Sequence, residues 1–151
     1  MAYINKVLEP DERVSYEAKL SRVGYVPGWV VTAIGIVLAV AAAQSAAQYP
    51  VALYLAVLVI AVGLVWIGLF WIKRASTEIA VTDRRVILKT GVISRRTVEM
   101  NLTRIESVDV RQGIMARLLD FGDVIIRGTG AGLEPIKGVD APLEFRRRVL
   151  S

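Results

Sequence analysis

The sequence predicts a membrane α+β protein in which a hairpin of two apolar helices is inserted near the start of a basic, mostly β domain. Three observations carry that expectation. No Asp, Glu, Lys or Arg occurs between Tyr25 and Ile72. Beyond Arg74 the apolar residues recur with a period of two instead of 3.6. A short segment before the apolar run alternates in the same way. The chain has 151 residues, room for one ordinary domain or less if part of it lies in a bilayer. Its apolar fraction of 54% and mean hydropathy of +0.50 exceed those of a typical soluble domain.

The sequence contains no cysteine and no histidine. That excludes disulfides, thiol nucleophiles, Cys/His zinc sites and imidazole bases. The net charge of +5 is unevenly placed. Met1 to Tyr25 carries four Lys/Arg against four Asp/Glu, whereas Lys73 to Ser151 carries fifteen against ten. The positive excess therefore follows the second apolar run.

Val51 to Ile72 is 22 uncharged residues, about 33 Å of helix at about 1.5 Å per residue, enough to span a bilayer core. Pro50 suits its first turn, Trp66 and Trp71 suit an interface, and Lys73-Arg74 ends it. Val26 to Ala47 is a weaker second span, rich in alanine towards its end. A cleavable signal peptide is the rival reading, because Ala41 to Ala47 offers small residues, but the preceding segment is too long and has no net charge. The connection from Gln44 to Pro50 holds no Lys or Arg, while Lys19 and Arg22 precede the first span and Lys73 and Arg74 follow the second. Both termini are thus expected in the cytoplasm. Gly35, Ala39, Ala43 and Ala47 recur every four residues. They suit close packing against Ala52, Ala56 and Gly63 of the second helix, or against a second copy.

After the membrane, Thr77–Thr82 and Arg85–Thr90 read as strands around an Asp83-Arg84 turn. Gly91 punctuates a hairpin to a third strand, with Val92, Arg96, Val98 and Met100 on one face and Ile93, Arg95, Thr97 and Glu99 on the other. Arg104–Arg111 follows a bend at Asn101-Leu102-Thr103. Gly113–Asp120 suits a helical turn, and Asp123–Arg127 and Leu133–Val139 suit two further strands around a glycine-rich loop. Asp140 and Pro142 suit the start of a terminal helix with Phe145 and Val149 one turn apart. Val14, Tyr16, Ala18 and Leu20 alternate with Arg13, Ser15, Glu17 and Lys19. A strand that short is unstable alone, so it should join the sheet beyond the hairpin as the seventh strand of one domain.

Several segments resemble the small bacterial membrane proteins with a pleckstrin-homology-like (PH) domain. They are Leu8-Glu9-Pro10-Asp11-Glu12-Arg13-Val14, Thr82-Asp83-Arg84-Arg85-Val86 and Thr90-Gly91-Val92-Ile93-Ser94-Arg95-Arg96-Thr97. The likeness continues through Ile105-Glu106-Ser107-Val108, Ala116-Arg117-Leu118-Leu119-Asp120-Phe121-Gly122-Asp123-Val124, Ile126-Arg127-Gly128-Thr129-Gly130 and Pro142-Leu143-Glu144-Phe145. The resemblance implies a seven-stranded, two-sheet β-sandwich capped by a carboxy-terminal helix, with no catalytic residues to carry over. Eukaryotic relatives of that fold often bind phosphoinositides, but fold alone does not transfer the activity.

Asp120-Phe121-Gly122 matches the magnesium-binding triplet of protein kinases, yet no His-Arg-Asp loop exists and the chain is far too short. Phe121 is expected instead to fill the sandwich. Gly128-Thr-Gly130-Ala-Gly132 lacks the spacing of a phosphate cradle and reads as an interstrand loop. Glu106 and Asp109 lie three apart on a strand, which places them on opposite faces and argues against paired acid/base work. Neither span holds an ionisable residue of the kind that marks a transport path.

Basic residues remain. Lys73, Arg74, Arg84, Arg85, Arg95 and Arg96 fall near the start of the domain and are the candidate contacts to lipid or partner, since an anionic leaflet attracts each by about 1 kcal/mol. The plainer reading is that they end the helix, orient it and solvate strand faces. Arg146-Arg147-Arg148 lacks stacking aromatics, so no nucleic acid is expected. The expected organisation is an amino-terminal segment (1–25) with the first strand, a transmembrane hairpin (26–72; helices at about 26–47 and 51–72) and a cytoplasmic PH-like domain (73–151). The expected role is a non-enzymatic interaction module of the bacterial cytoplasmic membrane. It would bind anionic lipid headgroups, a membrane protein partner or a second copy, without cofactor or metal. A membrane enzyme or transporter accessory subunit is the alternative.

Overall fold

The computed structural model describes residues 4–44, 50–91, 96–129 and 135–151. The chain divides into two compact units, Gly24–Ile72 and the combination of Met1–Val23 with Lys73–Ser151.

The first unit is a pair of long apolar helices. A 3-10 turn at Arg22–Tyr25 leads into α2 (Val26–Gln44), and α3 runs from Pro50 to Ser76; a short helix α1 (Ile4–Val7) precedes them. Pro50 opens α3, where a missing N–H costs nothing, and Lys73 and Arg74 fall in its last turn, where the helix dipole favours cations. Both helices are long and apolar enough to cross a membrane by length and composition. Most of their large side chains are exposed, among them Val37, Tyr54, Leu58, Val65 and Leu69.

What the two helices bury is a narrow seam. On α2 the covered positions include Gly28, Thr32, Gly35, Ala39 and Ala42; on α3 they include Leu53, Ala56, Ile60, Gly63, Ile67 and Phe70. The steps alternate between three and four, the seven-residue repeat of a left-handed supercoiled pair. Backbones approach closely there: a Cβ on Gly63 would stand 2.7 Å from Thr32 N, and one on Gly35 would stand 2.8 Å from Ile60 N. Tyr25 closes the open end edge-on to Phe70, at 4.7 Å between ring centroids. The four-residue stripe expected from sequence is corrected in part. Gly35, Ala56 and Gly63 lie in the seam, but Ala43 and Ala52 are exposed, and Ala47 falls outside the described residues. A strict step of four drifts about 40° per step around a helix of 3.6 residues per turn, so it leaves any straight contact line.

The second unit has two antiparallel sheets. The first has the order β1 (Val14–Ala18), β2 (Glu78–Thr82), β3 (Arg85–Thr90), β4 (Arg96–Asn101); the second has β5 (Ile105–Arg111), β6 (Phe121–Gly128), β7 (Ile136–Asp140). Strand β1 pairs with β2, with Tyr16 opposite Val81 and Ala18 opposite Ile79, although the whole helical pair separates them in sequence. Just beyond β1 the chain changes sheets. Leu20 bridges Val139 of β7, Ser21 N donates to Gly138 O at 2.7 Å, and Asp140 N donates to Lys19 O at 2.9 Å. One short segment thus covers an edge of each sheet, where unpaired backbone would otherwise face solvent.

Both sheets feed one core. Ala18, Ile79, Val81, Val86 and Leu88 come from the first, Val108, Val124, Ile126, Ile136 and Val139 from the second, and α5 (Pro142–Leu150) adds Phe145 and Val149. Phe145 is fully buried and meets Tyr16 edge-on at 6.4 Å. It takes the place expected of Phe121, which sits half-buried at the start of β6. The strand β6 begins two residues before the expected Asp123, because Phe121 and Gly122 pair with Asp140 and Val139. Gly122 is needed there: a Cβ would lie 2.8 Å from Arg111 O. Asp140 does not cap α5. It ends β7, and Ala141 takes the cap position in the left-handed region at φ 45°, with Pro142 next. Helix α4 (Ile114–Leu118) forms the expected helical turn between β5 and β6. The expected third-strand residues Val92, Ile93 and Arg95, and most of the loop around Gly130, lie outside the described residues.

Candidate functional site

Strands β2, β3 and β4 end together on the side where the chain enters and leaves the sheet, and they leave a cleft. It is lined by Leu20, Lys73, Thr77, Leu88, Thr90, Arg96, Val98, Pro135, Ile136 and Lys137, and encloses about 260 Å³. Each basic side chain comes from a different element: Lys73 from the last turns of α3, Arg96 from the first position of β4, Lys137 from β7. None of the lining residues among the described residues is acidic. The apolar wall is held in place by Leu20, whose backbone bridges β7 and whose carbonyl accepts from Arg74 Nε at 2.9 Å. Thr77 donates its hydroxyl to Lys73 O at 2.8 Å, tying the start of β2 to the end of α3. Three cations with the Thr90 hydroxyl over an apolar floor can bind an anion by charge-assisted hydrogen bonds.

At the opposite end of the first sheet the amino-terminal segment is clamped by a buried ion pair. Glu12 Oε2 accepts from Arg85 Nη2 at 2.6 Å, and Glu12 Oε1 accepts from Arg85 Nε at 2.9 Å and from Thr82 Oγ1 at 2.7 Å. Glu9 N also donates to Glu12 Oε2, at 3.1 Å. The Arg85 hydrogen bonds, outweighing burial, hold the Glu12 carboxyl down to about 2 from an ordinary 4.5. Arg85 is raised in turn, chiefly by the same bonds. Its remaining fork reaches Glu99 Oε2 at 2.9 Å and Val7 O at 3.2 Å. Arg84 pairs with Glu9 at 2.7 Å on the surface, and Arg13 N donates to Asp83 at 3.1 Å.

The six basic residues singled out in the sequence therefore separate. Lys73 and Arg96 share the cleft, Arg74 braces its wall, and Arg84 and Arg85 belong to the clamp at the far end of the sheet. Arg95 lies outside the described residues. Two participants were not legible in sequence. Lys137 is an isolated cation in a β strand, and nothing near it in the chain links it to Lys73. Glu12 is one acid among several, but the two segments bearing Glu12 and Arg85 are motifs of the family resemblance, and the fold joins them. Glu106 is exposed, while Asp109 pairs with Arg127 at 3.4 Å across β5 and β6. Among the described residues, no three His, Cys, Asp or Glu side chains gather as metal ligands would.

No curated protein and no solved structure matches the chain. A family model described as "Bacterial PH domain" matches residues 20–150, both sheets from Leu20 onward together with the two apolar helices. That match spans nearly the whole sequence and places the helical pair within the domain's own boundaries: the chain belongs to the bacterial PH domain family.

Proposed function

We propose that this protein is a membrane-anchored, non-catalytic interaction module that holds the anionic headgroup of a bilayer lipid at the cytoplasmic face of the bacterial membrane. The observation that carries the reading is the convergence of Lys73, Arg96 and Lys137 with the Thr90 hydroxyl on one cleft. Its volume suits a headgroup and not a whole lipid, since pockets for drug-sized ligands begin at about 300 Å³. Lys73 also follows the apolar run directly in sequence, where a headgroup layer would begin.

In this reading α2 and α3 span the bilayer as a hairpin. A soluble core helix would bury its apolar surface, whereas here the exposed valines, leucines and tryptophans surround both helices. The charge-free connection and the flanking Lys19, Arg22, Lys73 and Arg74 support a cytoplasmic position for both termini. The seven strands then act as one sandwich interrupted by its own anchor. Lys73, Arg96 and Lys137 make the headgroup contact, Arg95 adds to the attractive field, and Arg74, Arg84 and Arg85 serve the fold.

The full chain, purified in neutral detergent, should gain thermal stability with phosphatidylglycerol but not with phosphatidylcholine, and salt should weaken the gain. The triple substitution Lys73→Ala, Arg96→Ala, Lys137→Ala should remove the difference between the lipids. Equal stabilisation by both lipids, or a triple variant that responds as the parent does, would reject headgroup recognition and leave a protein partner as the better reading.

A further inference from the structure

Helix α4 carries an apolar tip for which the headgroup cleft has no use. Ile114, Met115, Leu118 and Leu119 are 89%, 64%, 78% and 47% exposed, while Ala116 alone turns inward. No other part of the β unit presents four large apolar side chains within six residues among the described residues. Exposed aliphatic residues in such a cluster are costly in water and mark a surface that something covers.

We propose that this tip inserts into the lipid headgroup layer, as a second membrane contact of the β unit separate from the headgroup cleft. Charge supports lipid as the occupant. Arg111 and Arg117 flank the tip, both are exposed, and neither forms an ion pair among the described residues. Asp120, which ends the turn at φ 48°, contributes its carbonyl to Ala141 N at 2.9 Å. Apolar side chains rimmed by arginines match the boundary between acyl chains and anionic headgroups. Shape supports it as well. A five-residue helix with Ile114 almost wholly free is a protrusion and not a face. Four side chains on one turn fall far short of the about 20–30 residues a side that a stable protein interface uses. The inference rests on the membrane anchoring proposed above, because an anchored domain meets the bilayer at high effective concentration and a small wedge then suffices.

The absence of cysteine makes the test direct. Single variants Met115→Cys, Leu118→Cys, Glu106→Cys and Val65→Cys of the full chain are labelled with an environment-sensitive fluorophore. They are reconstituted into vesicles of phosphatidylcholine and phosphatidylglycerol, with and without a lipid-borne quencher. Labels at 115 and 118 should shift to the blue and be quenched by the lipid, and the label at exposed Glu106 should do neither. Adding Arg111→Ala and Arg117→Ala should reverse the shift at both tip positions. A quenched Val65 label beside unquenched, water-exposed labels at 115 and 118 would overturn the tip insertion and leave the anchor standing. A blue shift at the tip without lipid quenching would equally overturn it and assign the tip to a second copy or another protein. An unquenched Val65 label would overturn the anchor and this inference together.

Discussion

Removing the Glu12 carboxylate would leave Arg85 partly buried beside Thr82 with its principal acceptor gone, and breaking such a pair costs more than the pair itself contributes. Glu12→Gln in the full chain should lower stability by about 2–3 kcal/mol, read as a lower midpoint of thermal unfolding in detergent. The sign with pH follows from the depressed carboxyl. Its stabilising share is complete above its ordinary value of 4.5 and is lost as pH falls towards about 2. Parent protein should therefore lose stability across that window and Glu12→Gln should lose less; parallel curves would show that the carboxylate is not the group responsible. Two backbone positions make opposite demands. Ala141 occupies the left-handed region, so Ala141→Gly should add about 0.5–1 kcal/mol. Gly122 has no room for a side chain beside Arg111 and Gln112, so Gly122→Ala should cost about 1–3 kcal/mol.

Among the elements, β1 has the widest reach for its length, because four of its five residues pair with β2 and the next three residues reach β7. Tyr16 packs on Phe145, and its phenol is raised chiefly by burial, whereas Glu17 is exposed. Tyr16→Asp should destabilise the β unit by about 3 kcal/mol or more, and Glu17→Lys should be nearly silent. Removing the amino-terminal 25 residues should leave β2 and β7 with open edges and make the remainder susceptible to protease; equal resistance would contradict β1's role. Between the helices, Gly63→Leu forces side-chain atoms against the Thr32 backbone, so it should reduce the yield of folded protein in membranes. The alternative site Leu58 is exposed, and Leu58→Ala should be tolerated.

At the scale of the molecule, the helical pair is an insertion between the first two strands of a domain that the chain completes only afterwards. Such an insertion is thermodynamically mild when its ends emerge together, as those of an antiparallel pair do, because loop-closure entropy grows only slowly with length. Reporter fusions at Met1 and Ser151 should both give cytoplasmic signals. A periplasmic signal from either end would refute the proposed hairpin topology.

The apolar run and the alternation of β1 were legible because each is a local pattern, with one face or one whole surface of a single element kept from water. Turns at Asp83-Arg84 and at the start of α4 were legible for the same reason. The positions of the strand ends, the choice of Phe145 over Phe121 as the core aromatic, and the cap at Ala141 were not, because each depends on which neighbour the backbone pairs with. The seam of α2 and α3 was half legible: small residues announce close packing, but only the mutual winding of two helices selects a three-four repeat over a repeat of four. The basic residues show the division most plainly. By sequence they are six neighbours near one boundary, and the sequence alone determined their sign, their number and their separation from the apolar segment. Only the tertiary structure decided that Lys73 and Arg96 face a common cleft with distant Lys137 while Arg85 turns inward to Glu12. The physical reason is that charge belongs to a residue, whereas the field a ligand meets belongs to the residues that folding brings within a few ångströms of one another.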